Sequence, residues 1–279
     1  MKLVSFSVGG GSVHPGALIE EAALVVDLTI AGYPDTLAAI ATGFTAIDKP
    51  GSYPGHKLGD VRLHAPIANP PRIFAIGLNY RDHAREAKMA LPAAPVVFFK
   101  MQTAIIGPGE SIVLPKNSTE PDYEAELAVI IGRGGYRIPA SAWRSHVYGY
   151  TIVNDVSARD VQRATSQWSL AKSFPTFCPI GPAIVTADEI ADPHALAISL
   201  SIDGEVLQDS NTRELVFTIP NLIEYISSIT PLLPGDIIST GTPAGVGMGR
   251  SPQRWLKPGD FVKVTIEELG SLGNPVIAE

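Results

Sequence analysis

One cysteine, Cys178, stands in a chain of 279 residues. A disulfide framework and a cysteine-rich zinc site are therefore excluded, and the pattern fits a reducing compartment. Long apolar runs are missing as well. The two longest uncharged stretches, residues 3–19 and 173–187, are broken by Gly9-Gly10-Gly11, His14 and Pro15 in the first and by Pro175, Pro179 and Pro182 in the second. Neither reads as a membrane span. Residues 1–8 carry one lysine and too short an apolar run for a signal peptide. Basic runs are absent too: Lys+Arg 21 against Asp+Glu 28 gives a net charge of −7, which argues against nucleic acid as a partner. Together these absences predict a soluble, cytoplasmic protein that engages neither nucleic acid nor membrane.

Turn formers are plentiful instead, with Gly 26 and Pro 24. Asn69-Pro70-Pro71 interrupts the pattern and predicts a boundary between a small β-rich N-terminal domain, 1–69, and a catalytic domain, 70–279. In the first, residues 3–8 and 16–29 read as a hairpin, and Asp35 caps a helix over 36–47. In the second, strands dominate, among them 72–77, 96–100, 125–131, 147–154 and 261–267. Asp203-Gly204 reads as a two-residue hairpin turn. Helices are expected over 156–168, with Ser157 and Asp160 as a capping box, and over 219–229. Strands that do not alternate with helices predict a mainly β, α+β fold, a sandwich or roll of antiparallel and mixed strands.

The segment from Asp122 to Ile131 is the most informative. Side chains alternate along a strand, so Glu124 and Glu126 point the same way, and the unbroken apolar run after them marks a strand buried on both faces. From spacing alone, the two glutamates are either a solvated strand end or a pair bridged by a cation. Asp155, at the end of the 147–154 strand, either caps a helix or adds a third oxygen ligand. Three carboxylates suit a hard ion: Mg2+, Mn2+ or Ca2+. His83 and Glu86, spaced i, i+3, share a helix face. They are a surface pair or a base with its orienting carboxylate. Lys172 lies in the apolar context Leu170-Ala171-Lys172-Ser173-Phe174. It either snorkels to the surface or holds negative charge. Residues 241–247 are Gly-rich but match neither a Walker A loop nor a dinucleotide fingerprint. They are a bare loop or a lip of backbone amides. Cys178 has no base beside it and reads as structural.

Five stretches, in order, resemble the fumarylacetoacetate hydrolase family. They are Ile76-Gly77-Leu78-Asn79-Tyr80-Arg81-Asp82-His83, the segment 122–131, Asn154-Asp155-Val156-Ser157-Ala158-Arg159-Asp160-Val161-Gln162, Ala171-Lys172-Ser173-Phe174, and the strand 236–240 leading into Gly241. The resemblance spans roughly residues 70–265. It implies a mixed β-sandwich roll, a homodimer and a divalent cation, Mg2+ or Mn2+, on Glu124, Glu126 and Asp155. It also implies a water activated by His83 and Glu86 on a lid, charge stabilisation by Lys172, and substrate contacts from Tyr80, Arg159, Gln162 and Thr242. Two departures, Leu78 where some members carry Arg and Met101 where Pro is frequent, bear on substrate identity.

The expectation is metal-dependent hydrolysis of a carbon–carbon bond in a 2,4-dioxo acid of the acylpyruvate type, with a small 2-keto acid as the partner molecule. Oxaloacetate decarboxylation or keto–enol isomerisation with the same cation is the alternative. A catalytically inactive keto-acid-binding member is the reading of a different class.

Overall fold

The computed structural model describes residues 1–47 and 53–279. Strands β1 (Lys2–Val8), β2 (His14–Ile19) and β3 (Leu24–Asp27) form a meander, followed by helix α1 (Thr36–Thr42) and by β4 (Gly55–Lys57) and β5 (Val61–His64). The expected 16–29 strand is two strands, because the chain turns at Ala23 with φ 46°. Helix α1 starts where the Asp35 side chain accepts from the Ala38 N–H at 2.8 Å. It stops short of residue 47 because Gly43 adopts φ 72° and turns its N–H back to the Ala39 and Ile40 carbonyls, the left-handed helix stop that glycine favours.

Beyond it come β6 (Ile73–Gly77), α2 (Arg81–Glu86), β7 (Val96–Lys100), β8 (Ile105–Ile106), β9 (Ile112–Leu114), β10 (Pro121–Asp122), β11 (Ala125–Ile131), β12 (Val147–Asn154), β13 (Ser157–Ala158) and α3 (Arg159–Ala164). The chain closes with β14 (Cys178–Thr186), β15 (Ala197–Ile202), β16 (Glu205–Asn211), α4 (Ile219–Ile229), β17 (Ile237–Ser239), β18 (Phe261–Ile266) and β19 (Gly270–Ala278). The helix expected over 156–168 is only α3. Ser157 pairs with Asp122 across β10 and β13. Asp160 accepts from its own turn at Val161 and also from Ser118 Oγ and Thr119 N, so it ties a loop to the helix. Helix α4 and the Asp203-Gly204 turn, with φ 51° and 88°, match expectation.

The long sheet runs β4-β3-β2-β1-β14-β12-β11-β17-β6-β7, and a second sheet runs β16-β15-β18-β19-β9. The fold is the expected mixed β-sandwich with few helices. Strand β11 is central. Its Leu127, Val129 and Ile131 join one core with Ile198, Leu200, Val262 and Val264 of the second sheet. Its Ala128 and Ile130 join another with Leu3, Ile40 and Ile184. Residues 1–69 thus contribute to that second core, and β1 pairs antiparallel with β14.

Candidate metal and acid–base site

Strands β11 and β12 run antiparallel with Ala125 opposite Asn154, so Glu124 and Asp155 meet at one end of the pair. The turn is locked: the Asp155 N–H donates to the Glu124 carbonyl at 2.9 Å, and the Glu124 N–H donates to Asn154 Oδ1 at 3.0 Å. Glu124, Glu126 and Asp155 are 4%, 1% and 0% exposed, and they bring one carboxylate oxygen each to within 4.8 Å of one another. A solvated strand end is thereby excluded.

Burial of this much charge demands partners. Lys172 Nζ donates to Glu124 Oε2 at 2.6 Å and to Asp155 Oδ2 at 2.8 Å. Lys100 Nζ donates to Asp155 Oδ1 at 2.6 Å, to the Val156 carbonyl at 3.4 Å and to the Lys172 carbonyl. Arg159 donates through Nη2 to Glu124 Oε1 at 2.5 Å, through Nε to Asp122 Oδ2 at 2.8 Å and through Nη1 to Gln162 Oε1 at 2.8 Å. Among the described residues Glu126 has no salt-bridging cation of its own; its Oε2 accepts from Ser239 Oγ at 2.5 Å and from the Gly241 N–H at 3.0 Å.

The protonation equilibria follow from these partners. Burial alone would raise the Glu124 carboxyl, but Lys172 and Arg159 hold it at about 2. Burial pushes Glu126 up, and the like charges of Asp155 and Glu124 push it further. Burial works against the Lys172 ammonium, yet Asp155 and Glu124 more than offset it and raise its pKa. Four buried carboxylates, counting Asp122, face three buried cations. Three carboxylate oxygens with one anion left uncompensated are the donor set of a hard divalent cation, so the residues present fit such an ion.

Helix α2 places His83 and Glu86 on one face, with His83 Nδ1 and Glu86 Oε2 at 3.2 Å. Glu86 Oε1 accepts from the Gly245 N–H at 2.9 Å, and a Cβ on Gly249 would come within 2.5 Å of Glu86 Cδ. The glycine loop is therefore a lip of amides, but one aimed at the protein's own carboxylates. Gly241 serves Glu126, Gly245 serves Glu86, and Gly247 and Met248 serve Asp122 at 2.7 and 3.1 Å.

A cavity of about 100 Å³ lies among these groups. His83, Glu124, Glu126, Arg159, Gln162, Lys172 and Thr242 supply its polar wall, and Leu78, Met89, Phe98, Trp168 and Met248 its apolar wall. Tyr80 differs from expectation. It is fully buried in the main core and absent from the cavity wall, and its hydroxyl has no partner among the described residues. Tyr80 precedes α2 and bridges to Leu215, and burial together with the nearby charge of Glu126 raises its hydroxyl well above the ordinary tyrosine range. Cys178 is buried and its thiol is pushed up to about 12 by that burial, an inert structural thiol. Residues the sequence reading passed over are Lys100, Asp122, Ser239 and Trp168. Two left a signal: a lysine closing the apolar run Val96-Val97-Phe98-Phe99, and an acid two residues before Glu124.

A family model described as fumarylacetoacetate (FAA) hydrolase C-terminal matches residues 72–277. A mitochondrial oxaloacetate tautomerase of Bos taurus is 49% identical over 220 residues, 78% of this chain and 70% of that one. Among solved structures, a fumarylacetoacetate hydrolase from Exiguobacterium antarcticum is 36% identical with a TM-score of 0.89 over 100% of both chains. A maleylpyruvate hydrolase from Sphingobium, solved with manganese and pyruvate, is 29% identical with a TM-score of 0.81 over 100% of this chain and 99% of that one. The cytoplasmic placement expected from the sequence is corrected by curated relatives from Bos taurus, Rattus norvegicus and Homo sapiens that are named as mitochondrial proteins. The physical reason for the error is simple: cysteine content separates oxidising from reducing surroundings, not one reducing compartment from another.

Proposed function

The chain belongs to the fumarylacetoacetate hydrolase family, and from that premise we propose that it catalyses divalent-cation-dependent keto–enol chemistry on a small 2-oxo acid such as oxaloacetate. The observation that carries this reading is the convergence of Glu124, Glu126, Lys172 and His83 on one cavity, with Asp155 bringing a carboxylate oxygen to within 4.8 Å of those of the two glutamates. The oxaloacetate tautomerase names of the relatives support it.

In this reading Glu124, Glu126 and Asp155 hold Mg2+ or Mn2+, which when bound supplies Lewis-acid stabilisation to a ligand oxygen. Lys172, kept protonated by Glu124 and Asp155, donates toward the negative charge that develops on the C2 oxygen. Glu86 holds the His83 Nδ1 edge, which leaves Nε2 to take a proton from C3 of the keto form and deliver it to the C2 oxygen as the enol forms, the reverse direction retracing both transfers. Leu78, Met89 and Trp168 keep bulk water from competing for that proton. Arg159, fixed by Asp122 and Glu124, orients Gln162 toward the ligand.

The test is the decay of the enol absorbance of oxaloacetate with Mn2+ and with EDTA. Tautomerisation is expected only with the cation, and His83→Ala should slow it by about 10²–10⁴-fold. Undiminished activity in EDTA would reject the reading. A second reading, hydrolysis of a 2,4-dioxo acid, is favoured by the His83–Glu86 pair, which suits activation of a water equally well, and by the maleylpyruvate hydrolase likeness. Pyruvate release from an acylpyruvate panel separates the two. Tight oxalate binding with neither activity would indicate an inactive binder. We also propose a homodimer, which a sedimentation mass of one chain would refute.

A further inference from the structure

Gln208 sits on β16, is 0% exposed, and bridges groups whose hydrogen-bonding roles are fixed. Its Oε1 accepts from the Ala125 N–H at 2.9 Å. Its Nε2 donates to the Pro243 carbonyl and to Thr242 Oγ1, both at 2.9 Å. A backbone N–H can only donate and a carbonyl can only accept. Turning the amide over would set donor against donor at Ala125 and acceptor against acceptor at Pro243, so its orientation is determined. Thr242 Oγ1 is therefore spent as an acceptor toward Gln208, and its hydrogen must point elsewhere. Thr242 is 5% exposed, lines the cavity, and has no other side-chain hydrogen bond among the described residues.

Across the same cavity Gln162 is set by the same logic. Its Oε1 accepts from the Arg159 guanidinium, which can only donate, so the amide nitrogen is the end left for the cavity. The wall thus presents two donors whose polarity the protein has already decided.

We propose that Gln208 is a positioning residue that turns the Thr242 hydroxyl hydrogen away from itself and toward the cavity, so that the ligand atom beside it is an acceptor oxygen, as a carboxylate supplies. This rests on the reading of the cavity as the site of a small oxo acid. The same amide ties Ala125, between Glu124 and Glu126, to the glycine loop, so one buried side chain registers the donor against the acidic triad. A buried donor left without an acceptor is costly, and that cost discriminates against ligands with an amine or a methyl at this position.

The probe is oxalate, which carries only acceptors, titrated calorimetrically into Mn2+-loaded protein. Thr242→Val should weaken it about tenfold, whereas Thr242→Ser, which keeps the hydroxyl, should stay near wild type. Gln208→Glu replaces the donor with an acceptor and draws the Thr242 hydrogen to itself. The added charge repels oxalate in every background, so the informative quantity is the double-mutant cycle. Gln208→Glu should cost about tenfold more with Thr242 present than in the Thr242→Val background. If Gln208→Glu does not fold, Gln208→Met frees the hydroxyl to turn, and its oxalate affinity should fall between wild type and Thr242→Val. Additive effects, affinities indifferent to Thr242→Val, or a wild type that does not bind oxalate would each overturn the assignment. Oxaloacetate turnover is a separate measurement. An inert protein with the expected affinities would keep the Gln208 role and lose the activity, and normal turnover with indifferent affinities would do the reverse.

Discussion

The two ends of the stretch from Glu124 to Ile131, which contains β11, are held by opposite means. From Leu127 to Ile131 every side chain is apolar and buried, odd residues in one core and even residues in the other. At Glu124 and Glu126 the side chains are equally buried, yet each is ionisable and lies against Lys172, Arg159, Ser239 or Gly241. Apolar burial is non-directional and roughly proportional to area, so neighbours can share a loss. Buried charge is pairwise, and removing one partner leaves the other uncompensated. The apolar end can stabilise the fold, whereas the charged end carries the oxygen donors an ion needs, and burying them costs stability.

Four expected outcomes would break or sharpen that contrast. The largest concerns Glu126→Gln. We expect Mn2+ affinity, read by calorimetry, to fall by at least about 100-fold, while the metal-free protein melts higher because a buried anion beside Asp155 and Glu124 is gone. A lower melting temperature would mean that Glu126 is a stabilising group like its apolar neighbours. Next, Lys100→Met leaves Asp155 Oδ1 without its ammonium. Urea unfolding of the metal-free protein should show a loss of about 3–5 kcal/mol, partly restored by Mn2+. Leu127→Ala, at the apolar end, should cost about 2–5 kcal/mol yet leave the Mn2+ affinity of the folded protein unchanged. A matching loss of affinity would show that the two ends are coupled.

The smallest effect is on acid stability. The Glu124 carboxyl is held at about 2 against 4.5 for an ordinary glutamate. A depressed folded value stabilises above the unfolded one, and that stabilisation is lost as pH falls. Unfolding of the metal-free protein between pH 4.5 and about 2 should therefore steepen, Glu124→Gln should flatten the dependence, and Leu127→Ala should leave its slope alone.

Much of this site was legible in the chain. Period-two alternation put Glu124 and Glu126 on one side of a strand, i, i+3 spacing put His83 with Glu86, and the apolar setting of Lys172 marked it as unusual. Lys100 escaped because it reads as the end of an edge strand, and its partner Asp155 is 55 positions away. The full burial of Tyr80 was not legible, because a motif match says which residues occur together, not how deeply a ring is buried. The helix expected over 156–168 was too long because Ser157 found a strand partner in Asp122, a contact that no local pattern announces.

What the chain determined by itself is everything carried by near neighbours: strand parity, the turn at Asp203-Gly204, the capped helix at Ile219–Ile229, and a set of carboxylates with no cysteine among them. What only the folded molecule decided is which lysine meets which carboxylate, which end of the Gln208 amide faces Thr242, and how little room is left between them. Coulomb energy and hydrogen-bond polarity depend on separation through space. Here the groups that set them come from segments as far apart as Glu126 and Ser239, 113 positions along the chain.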